Sequence, residues 1–201
     1  MTNSDLSRRK LLGSAACALC LLPTSGAYAI NEASARNLID RAVGEILTAI
    51  NSGQSNQALY RAFEGIFRKY ADVPTIARSA LGPPAREASS AEMTAFTNAF
   101  AGYIARKYGK RFNEFVGSEI EITGARAVKS FQEVTALAKL RGQSPFTISF
   151  MVSDRSGSDK FFDLLIEGIS LLKSERAEIG TMLDRRNGDI SALVSDLQKA
   201  G

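Results

Sequence analysis

Asp163 and Glu167 are the two residues of this sequence best suited to act as catalytic groups, because both carboxylates border an apolar run. In an enzyme, such a carboxylate beside an apolar pocket would act as the general base. The alternative is that Asp163 is a structural group, buried and hydrogen-bonded or ion-paired, as buried carboxylates usually are. We favour this structural role for Asp163.

The other residue types that carry most protein chemistry are scarce. The 201-residue chain has no histidine, which removes the commonest general base and the commonest metal ligand. Its two cysteines, Cys17 and Cys20, lie in an apolar run near the N-terminus. Catalytic groupings that need histidine are therefore impossible, and most carboxylates are interspersed with lysines and arginines as on a solvated surface. We predict a protein that is not an enzyme and that uses no metal or other cofactor.

The N-terminal segment has the three parts of a secretory signal. Arg8 and Arg9 make it cationic, an apolar run follows over residues 11–22, and Ala27 and Ala29 supply a small-residue cleavage site. The arginine pair predicts the twin-arginine export route. A membrane anchor is the alternative, but the run of about a dozen residues is short against the ~20 that a spanning helix needs.

Export and cleavage would leave residues 30–201 as a single domain in the periplasm. Attachment of a lipid to Cys17 or Cys20 is a second possibility, but the residues before them lack the leucine-then-small pattern of a lipoprotein. Loss of the leader lowers the formal net charge from +4 to +2. This near balance argues against the concentrated positive field that nucleic-acid binding requires. With no cysteine left for a disulfide, the domain must be stabilised by packing.

Hydrophobic periodicity predicts that the first half of this domain is helical. Apolar residues recur at helical spacing over residues 34–50 and 56–70. A short helix should lie between Asp72 and Gly82, and Ser89 begins a capping box that opens a long helix, whose pattern fades near residue 115.

The period changes to two from Glu119 onward, which predicts strands. Strands are expected over residues 119–122, 131–140, 146–152 and 161–169, with a turn at Gly124-Ala125, and two helices close the chain. The predicted fold class is α+β. We expect an antiparallel four- to five-stranded sheet packed on the helical N-terminal half and the C-terminal helices, enclosing an apolar cavity.

The apolar positions of the long helix and the strands are the candidates for a functional surface. They are either ordinary core or the lining of an apolar cavity, and periodicity does not separate these two interpretations. The candidate lining residues are Phe96, Phe100, Ile104, Phe146, Ile148, Phe150, Leu164, Ile166 and Ile169.

Two segments of the sequence resemble a known family. One runs from Ala77 to Gly82 and from Ala88 to Phe100, with Tyr108 beyond it; the other runs from Phe162 to Leu172 and continues through Arg176 to Leu197. Both resemble the MlaC/toluene-tolerance family of periplasmic phospholipid-binding proteins. The chain departs from the family pattern at Pro83-Pro84, where members often carry an aromatic pair, and at Phe161, where they often carry tryptophan.

The resemblance implies a carrier of phospholipid. Such a protein moves lipid between an inner-membrane ABC transporter with an MCE-domain subunit and an outer-membrane lipoprotein–porin complex, and so maintains the lipid asymmetry of the outer membrane. It needs a dry cavity with the headgroup at the mouth and no catalytic residue. On this interpretation Ile169, which follows Gly168, points into the cavity. The alternatives are a carrier for another lipid such as a hopanoid, an isomerase or dehydratase that uses Asp163, and an adaptor with a filled core.

Overall fold

A computed structural model describes residues 30–201, so the predicted leader, its cleavage site and both cysteines lie outside the described residues. The helices of the described chain are α1 (Glu32–Asn51), α2 (Asn56–Tyr70), α3 (Val73–Leu81), α4 (Ser90–Gly109), α5 (Leu171–Asp184) and α6 (Ile190–Lys199). The strands are β1 (Glu119–Val128), β2 (Phe131–Lys139), β3 (Phe146–Ser153), β4 (Lys160–Ile166) and β5 (Ile169–Ser170). In this part of the chain, no helix combines the length and the apolarity needed to span a membrane.

The helix starts follow the local signals in the sequence. The Asp72 side chain accepts a hydrogen bond from the Thr75 backbone N–H at 3.2 Å and so caps α3. Ser89 and Glu92 form the predicted capping box at the start of α4, with the Glu92 carboxylate 2.9 Å from the Ser89 backbone nitrogen. The α3 helix ends at Leu81 and is capped by Gly82, whose φ of 74° is accessible to glycine at little cost.

The five strands of the described chain form one antiparallel sheet in the order β1-β2-β3-β4-β5. The sheet is therefore a meander, as the short predicted turns require, and the α+β class is confirmed.

Two predicted boundaries in the sheet are wrong. Gly124 is not in a turn but inside β1, where the ladder with β2 shifts register between Ile122 and Gly124. The turn comes at Lys129, which has a φ of 54°. A glycine within a strand often marks such a bulge, and the sequence alone does not distinguish it from a turn.

The last predicted strand, over residues 161–169, is also two strands. Glu167 and Gly168, with φ values of 49° and 78°, form a two-residue turn between β4 and β5. Positive φ at both central residues is typical of a tight hairpin turn. The chain then enters α5 directly, with Ser170 as the N-cap.

The long helix α4 is shorter than its sequence pattern indicates. It ends at Gly109, and a separate turn of 3-10 helix covers Phe112–Phe115.

The helices pack in two groups. Helix α1 lies on one face of the sheet and contacts β1, β2 and β3, whereas α4 packs against α2, α3 and α6. The apolar interior is divided accordingly. We call one part the helical cluster, which includes Phe67, Ile76, Phe96, Phe100, Ile179 and Leu193. We call the other the sheet cluster, which includes Leu38, Ile39, Val134, Ala136, Ile148 and Phe150.

Candidate functional site

The two clusters meet at Phe161, which is partly buried and packs against both. Its ring centroid lies 6.2 Å from that of Phe67 in the helical cluster. It lies 6.0 Å from that of Phe150 in the sheet cluster, with the two rings edge to face. These distances are those of favourable aromatic pairs. We call this junction the aromatic seam.

The seam continues along α2 toward the end of α4. Phe63 lies 6.3 Å from Phe67 between ring centroids and 4.7 Å from Phe112. A line of aromatic rings thus runs through the interior from the sheet to the turn after α4. Flat rings held by dispersion and edge-to-face contacts carry no polar anchor, so the two clusters are joined without hydrogen bonds between these side chains.

The α4 members of the predicted lining lie in the helical cluster. Phe96 and Phe100 are fully buried, and their rings stack at 5.8 Å. Ile104, one turn further along, is also buried there. These three residues are therefore in a different cluster from the strand residues of the predicted lining.

The strand members lie on the face of the sheet that α1 covers. Ile148 and Phe150 are buried in the sheet cluster, and Phe146 and Leu164 pack against it. In the ladder between β3 and β4, Ile148 stands opposite Ile166 and Phe150 opposite Leu164. Residues paired in this way share one face of the sheet, so these five side chains form one apolar wall.

Ile169 is set apart from the other eight predicted residues. Its side chain is 66% exposed, and it borders a groove of about 610 Å³. Met151, Asp163 and Leu165 also line this groove, and they alternate along their strands with residues of the sheet cluster. The groove therefore lies on the opposite face of the sheet from α1. Its other lining residues are Phe131, Phe162, Gly168, Ser170, Lys173 and Ser174.

The Asp163 carboxylate is occupied by donors of its own fold. One oxygen accepts a hydrogen bond from the Ser170 hydroxyl at 2.6 Å. The other accepts from the backbone N–H groups of Leu164 at 2.8 Å and Leu172 at 3.1 Å. The carboxylate thus ties β4 to the start of α5. Glu167, the second candidate base, is exposed and accepts a hydrogen bond from the Thr147 backbone N–H.

A cluster of charged and phenolic groups that sequence reasoning missed lies between α4 and α5. Glu175 is 3% exposed, and one of its oxygens accepts from Lys107 at 2.7 Å and from the Tyr108 hydroxyl at 2.6 Å. Lys107 also contacts Glu178 at 2.5 Å, and the Tyr103 hydroxyl donates to Glu178 at 2.6 Å. We call these five residues the Glu175 cluster. Its members on α4 are about 70 residues from its members on α5 in the sequence, so no local pattern reveals it.

Burial and hydrogen bonding shift the pKa values within the Glu175 cluster. Burial, together with the hydrogen bond to Glu178, raises the pKa of Tyr103, and burial with the bond to Glu175 raises that of Tyr108. Burial opposes the ionised form of Glu178, but the bonds from Lys107 and Tyr103 outweigh it and lower the pKa of this carboxyl. A surface concavity of about 590 Å³ adjoins the cluster, and the charged side chains of Lys110 and Arg185 complete its polar rim. Such a lining is unsuited to acyl chains.

No set of three or more histidine, cysteine, aspartate or glutamate side chains is placed to hold a metal ion within residues 30–201. The interior of this part of the chain contains an apolar strand wall, the aromatic seam and carboxylates that accept hydrogen bonds from other groups of the fold.

The fold places the chain in a definite class, an α+β protein in which an antiparallel five-stranded meander packs against helices. Residues 40–199 match the family described as MlaC protein, and the chain belongs to this family. The family that the sequence resembles is thereby confirmed.

Among solved structures, the fold is similar to that of a phospholipid-binding protein from Ralstonia solanacearum in complex with a phospholipid. The TM-score is 0.68 at 18% sequence identity, and the match covers 82% of this chain and 95% of that one. No curated protein matches the chain in sequence.

Proposed function

We propose that this protein is a carrier that binds a phospholipid and moves it through the periplasm. The observation that carries the proposal is membership of the MlaC family over residues 40–199. The similarity in fold to a protein solved with a phospholipid supports it. The lack of histidine and the structural use of Asp163 are in keeping with a carrier that performs no catalysis.

The physical need for such a carrier comes from the acyl chains. Moving a two-tailed lipid into water exposes about thirty methylenes at ~0.8 kcal/mol each, a gross cost on the order of 20 kcal/mol. Unassisted transfer between membranes is slow for this reason. A protein that encloses the tails in an apolar site removes most of the cost.

The aromatic seam is the proposed place for the tails. Phe161 packs against both the helical and the sheet cluster, and rotation of its ring would open space for a ligand between them. The Asp72 backbone N–H could keep its 2.8 Å hydrogen bond to the Phe161 carbonyl while the ring moves. The tails would then meet the strand wall, which includes Ile148 and Phe150, on one side and the α4 residues Phe96 and Phe100 on the other. Dispersion contacts with acyl chains would replace those between the clusters.

The route and the partners complete the proposal. Arg8 and Arg9 would direct the precursor to twin-arginine export, and cleavage after Ala29 would release the carrier into the periplasm. There it would exchange lipid with an inner-membrane ABC transporter that has an MCE-domain subunit and with an outer-membrane lipoprotein–porin complex. Membership of the MlaC family supports this route.

A matched pair of substitutions tests the site. Ile148 is 6% exposed in the strand wall, whereas Ile169 is 66% exposed at the outer groove. A carboxylate at position 148 would lie unpaired among the tails, which is costly, so we expect Ile148→Glu to abolish transfer of labelled phospholipid between vesicles. Ile169→Glu should transfer lipid at a rate close to that of the unmodified protein and should keep its melting temperature.

The reverse result, with loss of transfer in Ile169→Glu alone, would place the lipid in the outer groove. If Ile148→Glu does not fold, the milder Ile148→Ala keeps the test available, because it removes apolar contacts from the same wall without adding charge. Retention of bound lipid should then fall in Ile148→Ala. Unchanged retention would contradict the seam as the binding site.

A further inference from the structure

The first described residue is held at three points. The backbone N–H of Ile30 donates to the Asp154 carboxylate at 3.1 Å. Its carbonyl accepts from the Gln132 side-chain amide at 3.2 Å, and its side chain packs against the sheet cluster. Asp154 follows β3 and Gln132 lies on β2, so the two side chains join Ile30 to adjacent strands. If the leader is removed after Ala29, as proposed above, Ile30 becomes the end of the chain, and such ends are often poorly ordered.

One polar atom of the Gln132 side chain is buried without a hydrogen-bond partner among the described residues. Gln132 is 8% exposed, and among residues 30–201 its carbonyl oxygen Oε1 has no hydrogen-bond partner. A buried acceptor without a donor costs free energy. As part of a peptide bond, Ile30 has one backbone N–H, and this group donates its hydrogen bond to Asp154.

We propose that Asp154 and Gln132 form a binding site for the α-ammonium group of Ile30, created when the leader is removed. Hydrolysis of the Ala29–Ile30 peptide bond by a leader peptidase consumes one water molecule. The Ala29 carbonyl carbon gains the oxygen as a carboxylate, and the Ile30 nitrogen gains the protons to become an ammonium group.

This step changes what the site holds. An ammonium group has three N–H donors instead of one, and at neutral pH it carries a positive charge. The hydrogen bond from an uncharged peptide N–H to the Asp154 carboxylate becomes an ion pair between two charged groups, which is stronger. The additional donors supply the kind of partner that Gln132 Oε1 lacks among the described residues. Cleavage at this bond therefore stabilises the domain.

The mature N-terminus is the first test. The precursor is expressed with its leader, the protein is recovered from the periplasm, and its N-terminal residue is determined by mass spectrometry. We expect Ile30. A mature chain that begins at any other residue overturns the proposal.

The second test compares chains that begin at Ile30 and at Ala29, each released from a removable fusion partner. The folding equilibrium constant should be about tenfold larger for the Ile30 chain, the size expected of a charge-assisted hydrogen bond. Asp154→Asn should remove most of this difference, whereas the control Asp159→Asn, in the same loop, should leave it intact. An undiminished difference in Asp154→Asn contradicts the proposal.

A measurement on the unmodified chains covers the case in which Asp154→Asn fails to fold. An ammonium group held in an ion pair reacts slowly with an acylating reagent because its free amine is rarely populated. At neutral pH, acylation of the α-amine should be about tenfold slower in the Ile30 chain than in the Ala29 chain. Equal rates of acylation overturn the proposal.

Discussion

Lys107 is the residue on which the polar interior of the helical half depends. It contacts Glu175 and Glu178 and lies 5.3 Å from the centroid of the Tyr103 ring. Glu175 is a buried carboxylate, and its partners Lys107 and Tyr108 sit side by side on α4. Removing one partner of such a pair leaves a buried charge, so the cluster constrains how α5 docks on α4.

The tyrosines of this cluster give a prediction at high pH. Folding raises the pKa of Tyr103 and of Tyr108 above the ordinary value of 10.0. Their contribution to stability is therefore complete below that value and is lost as the pH rises through the folded pKa values. In an ultraviolet titration of tyrosinate, both hydroxyls should ionise late, and the protein should unfold as they do.

Tyr103→Phe is the control for this titration. It should remove part of the late ionisation and leave the rest, which belongs to Tyr108. A titration curve whose late phase keeps its full amplitude in Tyr103→Phe would show that Tyr103 is not one of the shifted groups.

At the scale of secondary-structure elements, local sequence signals predict where a helix begins but not which residues pair between strands. Asp72 and Ser89 predicted the starts of α3 and α4 because each cap bonds to a backbone group three residues away. Gly124 was misread because register between β1 and β2 decides whether a glycine is a turn or a bulge. The sequence predicts a structural role for Asp163 but not its partners. Ser170 and Leu172 follow the turn between β4 and β5, which the sequence pattern does not show.

Asp163→Asn tests that tie. The amide keeps one acceptor oxygen and replaces the other with an NH2 donor. Either the Ser170 hydroxyl must accept where it now donates, or the bonds from Leu164 and Leu172 are given up. We expect the free energy of unfolding to fall by about 1.5–3 kcal/mol, as for a weakened hydrogen bond to a charged group. Urea denaturation measures the loss, and bound lipid should stay at the level of the unmodified protein.

The same variant addresses the enzyme hypothesis. Turnover of a lipid or steroid substrate by the purified protein, abolished in Asp163→Asn, would make Asp163 a catalytic base. We expect no turnover in either protein.

At the scale of the whole molecule, the sequence identified the apolar positions but not how they are divided. Phe100 and Phe150 are both buried apolar positions of a periodic pattern, yet they lie in different clusters joined through Phe161. Periodicity reports which face of an element is buried, whereas the partner of that face depends on the tertiary arrangement. Ile169 shows the limit most clearly, because a hairpin turn places an apolar residue of the pattern at the surface.

The analysis of lipid bound to the protein is the most direct test of the proposed carrier function. The precursor is expressed with its leader, and the mature protein is purified from the periplasm without detergent. Native mass spectrometry, with analysis of the extracted lipid, should then show one phospholipid bound to each chain. A folded protein that carries no lipid, and that acquires none from phospholipid vesicles, would contradict the account.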